Sequence, residues 1–413
     1  MFILFSSLFV ERSSFSTLKL LFRLRCVWNA FRYHFANGIL LRKDPNMRPK
    51  SGLPKRKALR NMPLFDGGLR SSTEVAANRK KQNDTQPRKC STVVSLFAGC
   101  GGMDLGFLGG FESLGQYYPS LPFEIVHAFD IDDKAIETYQ LNIADHASVA
   151  DLTVTPAALL PECDVLLGGF PCQDFSSCGP KQGFDGKRGR LYRILVDYMV
   201  EHQPKIVVAE NVPHLAKLQG GDLLATIVEE FESTGYSFKV WTLYCPDYGL
   251  PQHRVRLFFV GVRNDIANAC GRPSSPDPSF FSQHRTIDDA IDDLKGVSDE
   301  TVPNQSQYFV ATRASKGAGQ GDQVSMKGDV SYAVRANPRG RVHFHYELDR
   351  RLTVRECARL QSFPDQFVFP FATSTNMMQI GNAVPPIIAH QVATEVAEYL
   401  KRDTKKFAKE TVR

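Results

Sequence analysis

Long apolar runs are missing from this chain of 413 residues, although hydrophobic residues make up 43% of it. No stretch approaches the roughly 18–20 apolar residues that a membrane-spanning helix needs, so we expect no membrane span. The nine cysteines are scattered and odd in number, and none has the spacing of metal ligands. This pattern argues against a disulfide framework and against a metal site, and it favours a cytoplasmic protein with reduced thiols.

Acidic residues are scarce in the first 90 residues, which hold 5 Asp and Glu against 19 Lys and Arg. The remaining residues hold 39 acidic and 31 basic side chains, so the net positive charge comes from this first segment. The start, Met1-Phe-Ile-Leu-Phe, lacks the basic stretch that opens a secretory signal. We predict that residues 1–90 are a basic extension, either a disordered arm or a segment upstream of a translation start at Met47 or Met62. A transit peptide is the alternative.

From residue 91 the sequence alternates between apolar, β-branched runs and helical patterns, which predicts a mostly parallel, doubly wound α/β sheet. The predicted strands are residues 92–97, 125–129, 164–167, 206–209 and 257–262, and the predicted helices are 133–141, 191–202, 222–233, 353–362 and 386–400. Residues 264–345 break this pattern with Ser, Gln, Gly, Asp and Pro. We therefore expect a main domain at 91–263, an inserted, loop-built module at 264–345, and a segment at 346–413 that completes the module and returns to the main domain.

Three predicted strand ends carry candidate ligand contacts. The first strand runs into Phe97-Ala-Gly-Cys-Gly-Gly102, and glycines at a strand-to-helix turn let a ligand approach the backbone. Asp130 ends the second strand, where a carboxylate commonly binds a ribose diol. Asp151 follows Val149-Ala150 in the next element along the chain and could accept a hydrogen bond from an adenine amino group. The alternatives are a packing role for the glycines, capping of the second helix by Asp132, and a surface position for Asp151.

The loop after the predicted strand at residues 164–167 has the sequence Gly168-Gly-Phe-Pro-Cys-Gln-Asp-Phe-Ser176. It places Cys172 at the carboxyl edge of the predicted sheet, where α/β proteins bind ligands. A thiolate is nucleophilic enough to add to C6 of cytosine, which is a poor electrophile. The alternative for a single cysteine is a small buried hydrophobic residue. Glu210-Asn-Val212 closes the next strand, and a partly protonated Glu210 could meet the charge that develops on N3 of the ring.

Two arginines occur in Gln252-His-Arg-Val-Arg256, just before the last predicted strand. Alternate residues of a strand point to one face, so Arg254 and Arg256 are expected on the same side. There they could orient Glu210 and bind the cytosine O2. Solvated charges at the edge of the sheet are the alternative.

Together these segments resemble the DNA cytosine-5-methyltransferase family, in its short prokaryotic, restriction–modification form. Six motifs occur in the order of the family, at residues 95–103, 169–173, 210–212, 252–256, 351–364 and 379–385. The resemblance implies a class I S-adenosylmethionine-dependent methyltransferase fold with a smaller inserted target-recognition domain. It also implies S-adenosylmethionine as methyl donor and double-stranded DNA as substrate.

The resemblance also implies roles for individual residues. Cys172 would attack C6, Glu210 would hydrogen-bond N3 and the amino group of a flipped cytosine, and Arg254 and Arg256 would complete this pocket. The expected cofactor contacts are Phe97, Gly99, Gly101, Asp130, Ile131, Asp151, Asn382 and Val384. Ser95 stands where many relatives have Asp, which is expected to weaken one cofactor contact. The family has no counterpart of residues 1–90.

The target base has to leave the stack, because its C5 and C6 atoms cannot be reached inside a duplex. The resemblance implies that residues 176–190 form a mobile loop over the flipped base. Sequence choice would fall to residues 264–345, where arginines could read guanine or contact phosphate. The expected DNA contacts are Gln173, Ser176, Arg188, Arg335, Arg339 and Arg341.

Three other functions stay open on the sequence. A tRNA cytosine-5-methyltransferase would share the catalytic motifs and differ in its recognition module. A catalytically inactive DNA-binding regulator would be expected to have lost Cys172 or Glu210. A small-molecule oxidoreductase would explain the glycine turn but not Pro171-Cys172 or Glu210-Asn211. For the favoured function we expect a monomer that acts alongside a restriction endonuclease without binding it.

Overall fold

The computed structural model describes residues 90–171, 191–280, 282–309, 323–336 and 343–410. All of them belong to the larger of the two units into which the chain divides, residues 84–413. Apart from Cys90, the predicted basic extension lies outside the described residues. Within the described ranges, no helix is long and apolar enough to cross a membrane.

The described strands are β1 (Ser91–Leu96), β2 (Phe111–Ser113), β3 (Gln116–Tyr118), β4 (Phe123–Asp130), β5 (Ala147–Val149), β6 (Val165–Gly168), β7 (Ile206–Asn211), β8 (Tyr236–Tyr244), β9 (Val255–Arg263), β10 (Gln323–Val324) and β11 (His343–Phe344). Seven of them form one sheet in the order β5-β4-β1-β6-β7-β9-β8. Strand β9 runs antiparallel to both of its neighbours, and the other pairs are parallel. The prediction of a mostly parallel sheet is confirmed.

The described helices are α1 (Gly102–Leu108), α2 (Asp133–Asn142), α3 (Arg193–His202), α4 (Asp222–Glu232), α5 (Asn264–Cys270), α6 (Ile287–Ile291), α7 (Val354–Leu360), α8 (Thr373–Asn382) and α9 (Pro386–Glu410). Helices α1 and α9 contribute to the core on one face of the sheet, and α3 and α4 contribute to the core on the other. Neighbouring residues of β1 show the division, since Val93 belongs to the first core and Val94 to the second. Strand β7 is buried along its whole length, as expected of a strand covered on both faces.

A third core joins α6, α7 and α8. These helices and the described residues between them, from Ile287 to Asn382, form the second lobe. Helices α6 and α7 both begin with a capping box, in which Thr286 pairs with Asp289 and Thr353 pairs with Glu356. Helix α5 instead packs against β8, β9 and α9, so the first residues of the segment 264–345 belong with the main sheet. Helix α9 returns to pack on α1 and closes the main domain.

Several elements had no strong sequence signal. Strand β5 has only three residues, and in β8, at an edge of the sheet, the apolar pair Val240-Trp241 interrupts the alternation of polar and apolar residues. Helix α8 has the polar sequence TSTNMMQIGN, and it is held by packing of Met377 and Ile380 in the core of the second lobe. In each case tertiary contacts supply the stabilisation that local sequence does not.

Candidate active site

The strand order of the main sheet reverses between β1 and β6. From β1 the chain proceeds to β4 and β5 on one side, and then crosses to β6 and β7 on the other. Ligands of open α/β sheets bind at the carboxyl edge of the strands at such a reversal. A cavity of about 480 Å³ lies there, and its walls include the residues that follow β1, β4, β6 and β7.

The turn after β1 forms one wall of this cavity. Phe97 and Gly99 both have positive φ, at 59° and 57°, and a side chain at Gly99 would meet no atom within 4 Å. Both residues line the cavity, so the backbone is open to a ligand there. Gly101 differs from its predicted role. A Cβ atom there would lie 2.3 Å from Ile143, so this glycine is needed for packing and is not among the lining residues.

Asp130 holds this turn from the end of β4. Its Oδ2 accepts a hydrogen bond from the backbone N–H of Gly99 at 2.8 Å, and its Oδ1 accepts one from the N–H of Asp132 at 2.9 Å. Burial raises the pKa of Asp130. The next residue, Ile131, lines the cavity with 66% of its surface exposed, which leaves an apolar face for a flat ring. Asp132 also caps α2, so its predicted structural role is present alongside the ligand site.

Asp151 does not face the cavity. Its carboxylate is exposed and accepts hydrogen bonds from the backbone N–H and the hydroxyl of Thr153, at 2.9 and 2.6 Å. These bonds lower its pKa and fix it in a local turn, so the structure does not bring it to the predicted cofactor contacts. Asn382 and Val384 do line the cavity, as predicted. A Cβ atom at Gly102 would lie 2.3 Å from the carbonyl oxygen of Val384, so this glycine lets the returning chain approach.

The predicted nucleophile, Cys172, lies outside the described residues, but the residues in front of it are placed. Gly169, Phe170 and Pro171 line the cavity. Asn211 is buried, and its Nδ2 donates a hydrogen bond to the carbonyl oxygen of Phe170 at 2.9 Å. The end of β7 therefore anchors the loop that leads to Cys172.

Glu210 lies at the end of β7 with 8% of its surface exposed. Its Oε1 is 2.7 Å from Nε of Arg256, and an added Cβ atom at Gly169 would lie 3.8 Å from its Oε2. Burial raises the pKa of Glu210, while the charges of Arg256 and Arg254 oppose this shift. The predicted orientation of Glu210 by an arginine is present for Arg256.

Arg254 differs from the prediction, because its hydrogen bonds go to backbone carbonyl groups and not to Glu210. It donates to the carbonyl oxygens of Val334, Gly381 and Ala383, at 2.9, 3.0 and 3.0 Å. Burial lowers its pKa to about 9. Arg254 therefore joins β9 to the second lobe and to the chain that closes the cavity, and it acts on Glu210 only through its charge.

The predicted DNA contacts are mostly outside the described residues. This holds for Gln173, Ser176, Arg188, Arg339 and Arg341. Arg335 is described and exposed. Its carbonyl carbon would lie 2.2 Å from a Cβ atom at Gly381, so its backbone packs closely against the end of α8.

Asn211, His214, Met378 and Gln379 are among the cavity-lining residues that carried no predicted role. Asn211 and Gln379 stand inside motifs that the sequence already singles out, and His214 follows Glu210 by four residues. Their motif positions are the available signal. Their contacts could not be read from the sequence.

Residues 91–398 match the model of the family described as C-5 cytosine-specific DNA methylase. The chain belongs to this family. It is 31% identical over 354 residues to the Type II methyltransferase M.BsuRI of Bacillus subtilis, covering 74% of this chain and 79% of that protein. It is 33% identical over 346 residues to the Type II methyltransferase M.BspRI of Lysinibacillus sphaericus, covering 74% and 81%.

Solved structures show the same fold. The Dnmt2 methyltransferase of S. pombe superimposes with a TM-score of 0.54 at 17% identity, covering 76% of this chain and 99% of that one. The methyltransferase EhMeth of Entamoeba histolytica gives the same four values. The predicted methyltransferase fold and DNA cytosine-5-methyltransferase activity are thereby confirmed.

The family implies S-adenosylmethionine as methyl donor, and the cavity fits this molecule. The open backbone at Gly99 leaves room for a ligand, and Asp130 provides carboxylate acceptors beside it. The exposed face of Ile131 suits a purine ring. A volume of about 480 Å³ lies within the range typical of small-molecule sites.

Proposed function

We propose that this chain methylates C5 of a flipped cytosine within a specific sequence of duplex DNA, through a covalent bond between that base and Cys172. One observation carries the proposal. The turn after β1 (residues 97–102, called the cofactor turn), the loop that ends at Pro171 and the buried Glu210 all line a single cavity. A nucleophile one residue beyond Pro171 would therefore be close both to Glu210 and to the turn that contacts the cofactor.

The sulfur of Cys172 adds to C6 as a thiolate, and the electron pair of the C5–C6 double bond moves into the ring towards N3. Glu210 in its protonated form donates a hydrogen bond to N3 and so stabilises this charge. When bound, S-adenosylmethionine would supply an electrophilic methyl group to the nucleophilic C5, with S-adenosylhomocysteine as the leaving group once the bond between the methyl group and sulfur breaks. The proton on C5 then leaves, the C5–C6 double bond reforms, and the sulfur departs from C6.

The surroundings of Glu210 support this role. Burial favours the neutral carboxyl group, which is the form that can donate to N3. Arg256 holds the carboxyl group in place at 2.7 Å. Asn211 ties the next residue of the same strand to Phe170, and so couples the position of the acid to that of the nucleophile loop.

We further propose that the protein acts as a monomer in the cytoplasm of a prokaryote and protects host DNA from a restriction endonuclease. The relatives M.BsuRI and M.BspRI are named Type II methyltransferases, which supports this biological setting. The choice of target sequence would fall to residues 264–345, in which Arg335 packs against the end of α8. Bisulfite sequencing of DNA from a host that expresses the chain would reveal the methylated sequence.

The covalent step is tested with a duplex that carries 5-fluorocytosine at that sequence. The fluorine cannot leave as a proton does, so wild-type protein with S-adenosylmethionine should form an adduct that survives a denaturing gel. Cys172→Ala should form none, whereas Cys90→Ala, a matched change of an exposed cysteine, should behave as wild type. An adduct with the alanine variant at position 172 would refute the mechanism.

The same assay separates the alternatives. A 5-fluorocytosine tRNA transcript in place of the duplex should give no adduct. Adduct on the tRNA alone would establish the RNA-acting alternative. A protein that binds the duplex in a gel shift but transfers no methyl group would be the inactive regulator.

A further inference from the structure

A buried hydrogen bond joins the strand before the cofactor turn to the helix after it. Ser95 lies on β1 and Asp104 on α1, and both are fully buried. Ser95 Oγ donates to Asp104 Oδ1 at 2.7 Å. Between these two positions lie most of the residues of one cavity wall: Phe97, Ala98, Gly99, Cys100, Gly102 and Met103.

This turn adopts a conformation that needs outside support. Phe97 has a φ of 59°, which is rare and unfavourable for a bulky side chain. Such a backbone persists only where its surroundings hold it. Asp130 holds the turn from the side of the cavity through Gly99, and the Ser95–Asp104 bond holds it from the side of the core.

We propose that Ser95 and Asp104 form a clamp that keeps the turn in its ligand-binding conformation and so sets the affinity for S-adenosylmethionine. The inference rests on the proposed use of this cavity for that molecule. Neither residue lines the cavity, so both are positioning residues.

The surroundings of Asp104 support a specific role for its hydrogen bond with Ser95. Its Oδ2 is buried and has no hydrogen-bond partner among the described residues. The nearby hydroxyl of Tyr139 is engaged with Nε2 of His146 at 2.9 Å. Burial raises the pKa of Asp104 to about 6, and the hydroxyls of Ser95 and Tyr139 oppose the shift. A buried acid is a costly way to fill space, so we infer that its short bond to Ser95 is used.

Four variants test the clamp with S-adenosylhomocysteine as the calorimetric probe. Ser95→Ala and Asp104→Leu each break the bond and should weaken binding about tenfold or more. Asp104→Asn keeps an acceptor for Ser95 and should stay within about threefold of wild type. The double variant Ser95→Asp/Asp104→Ser keeps one carboxyl group and one hydroxyl group at these two positions. It should restore most of the affinity for S-adenosylhomocysteine.

Steady-state kinetics adds a readout that a general loss of stability would not give. Ser95→Ala should raise KM for S-adenosylmethionine while kcat and the KM for DNA stay near wild type. The matched control is Ser113→Ala, which removes another buried hydroxyl, one that donates to the carbonyl oxygen of Ser362 at 2.9 Å. This control should lower the melting temperature without changing the affinity for the probe.

Three results would overturn the clamp. The first is unchanged probe affinity in Ser95→Ala and Asp104→Leu. The second is a double variant that binds the probe no better than its single changes. The third is a parallel loss of DNA binding and probe binding in all of these variants. Failure of the wild-type protein to bind the probe at all would refute the proposed cofactor, and is distinct from these results.

Discussion

Asn211 uses both ends of its amide group at the edge of the candidate site. Its Nδ2 donates to the carbonyl oxygen of Phe170 at 2.9 Å, and its Oδ1 accepts from the backbone N–H of Val212 at 2.8 Å. The amide thus fixes the loop two residues before Cys172 relative to the strand that carries Glu210. A change there should act mainly on the reaction, because both bonds of this cavity-lining amide run to the nucleophile loop and to the end of β7.

Asn211→Ala should slow adduct formation with 5-fluorocytosine DNA about tenfold or more. An unsatisfied buried carbonyl costs about 1–3 kcal/mol, and 1.4 kcal/mol corresponds to a factor of ten in rate. Affinity for S-adenosylhomocysteine should fall by less than the rate does, although Asn211 lines the same cavity. Asn304→Ala removes a comparable buried amide, bonded to Phe369 at 2.8 Å, and should lower stability alone. Equal rates for the two variants would argue against the anchor.

Glu210→Gln should reduce the methylation rate by two orders of magnitude or more, in line with general acid contributions of about 10²–10⁴. It should also alter the pH profile. If the protonated acid is required, the wild-type rate falls as pH rises through the pKa of Glu210, which burial raises above its usual value. The glutamine cannot titrate, so this falling limb should vanish. A variant within threefold of wild type would leave Glu210 a structural role.

Substitution by lysine should have different effects at Arg254 and at Arg256. Arg254→Lys cannot reach three carbonyl oxygens, so the free energy of unfolding should fall by about 3 kcal/mol or more, and cofactor binding should weaken because Ala383 lines the cavity. Arg256→Lys should mainly reduce kcat, since its partner is Glu210. Urea unfolding and initial rates for both variants check this. Identical profiles would contradict the division of roles.

Asp130→Ala should weaken S-adenosylmethionine binding by about 1–3 kcal/mol, the range for lost hydrogen bonds to a charged group. The side chain also holds the N–H groups of Gly99 and Asp132, so Asp130→Asn, which keeps one acceptor, should be milder. Isothermal calorimetry gives the first quantity, and a gel shift without cofactor should show little change in DNA affinity. Equal loss of both affinities would mean that Asp130 supports the fold.

Asp104 should make stability depend on pH in a defined direction. Its pKa in the folded protein is raised from 3.8 to about 6, so the folded state holds the proton more tightly than the unfolded chain. The resulting stability is fully present below pH 3.8 and is lost as pH rises through about 6, a difference of about 3 kcal/mol. Asp104→Asn should therefore gain stability relative to wild type between pH 5 and 7.5. A pH-independent difference in urea unfolding would contradict this.

The sequence by itself determined the alternation of the five predicted strands with helices and the residues at the ends of those strands. Alternating apolar runs between helical patterns leave few arrangements other than a doubly wound sheet, and its carboxyl edge collects whatever follows each strand. Phe97, Asp130 and Glu210 were predictable for this reason, since each stands at a strand end. So was the approach of Asn382 and Val384, although there the resemblance to a known family supplied the argument.

Only the tertiary structure decided which partners these side chains meet. Arg254 and Arg256 differ by two positions and were expected to share a face, yet one binds backbone oxygens of the second lobe and the other binds Glu210. Strand periodicity determines the side to which a residue points, but residues about 80 and 127 positions away determine what covers that side. Asp151 shows the converse, because a local turn with Thr153 satisfies its carboxylate before any distant group can.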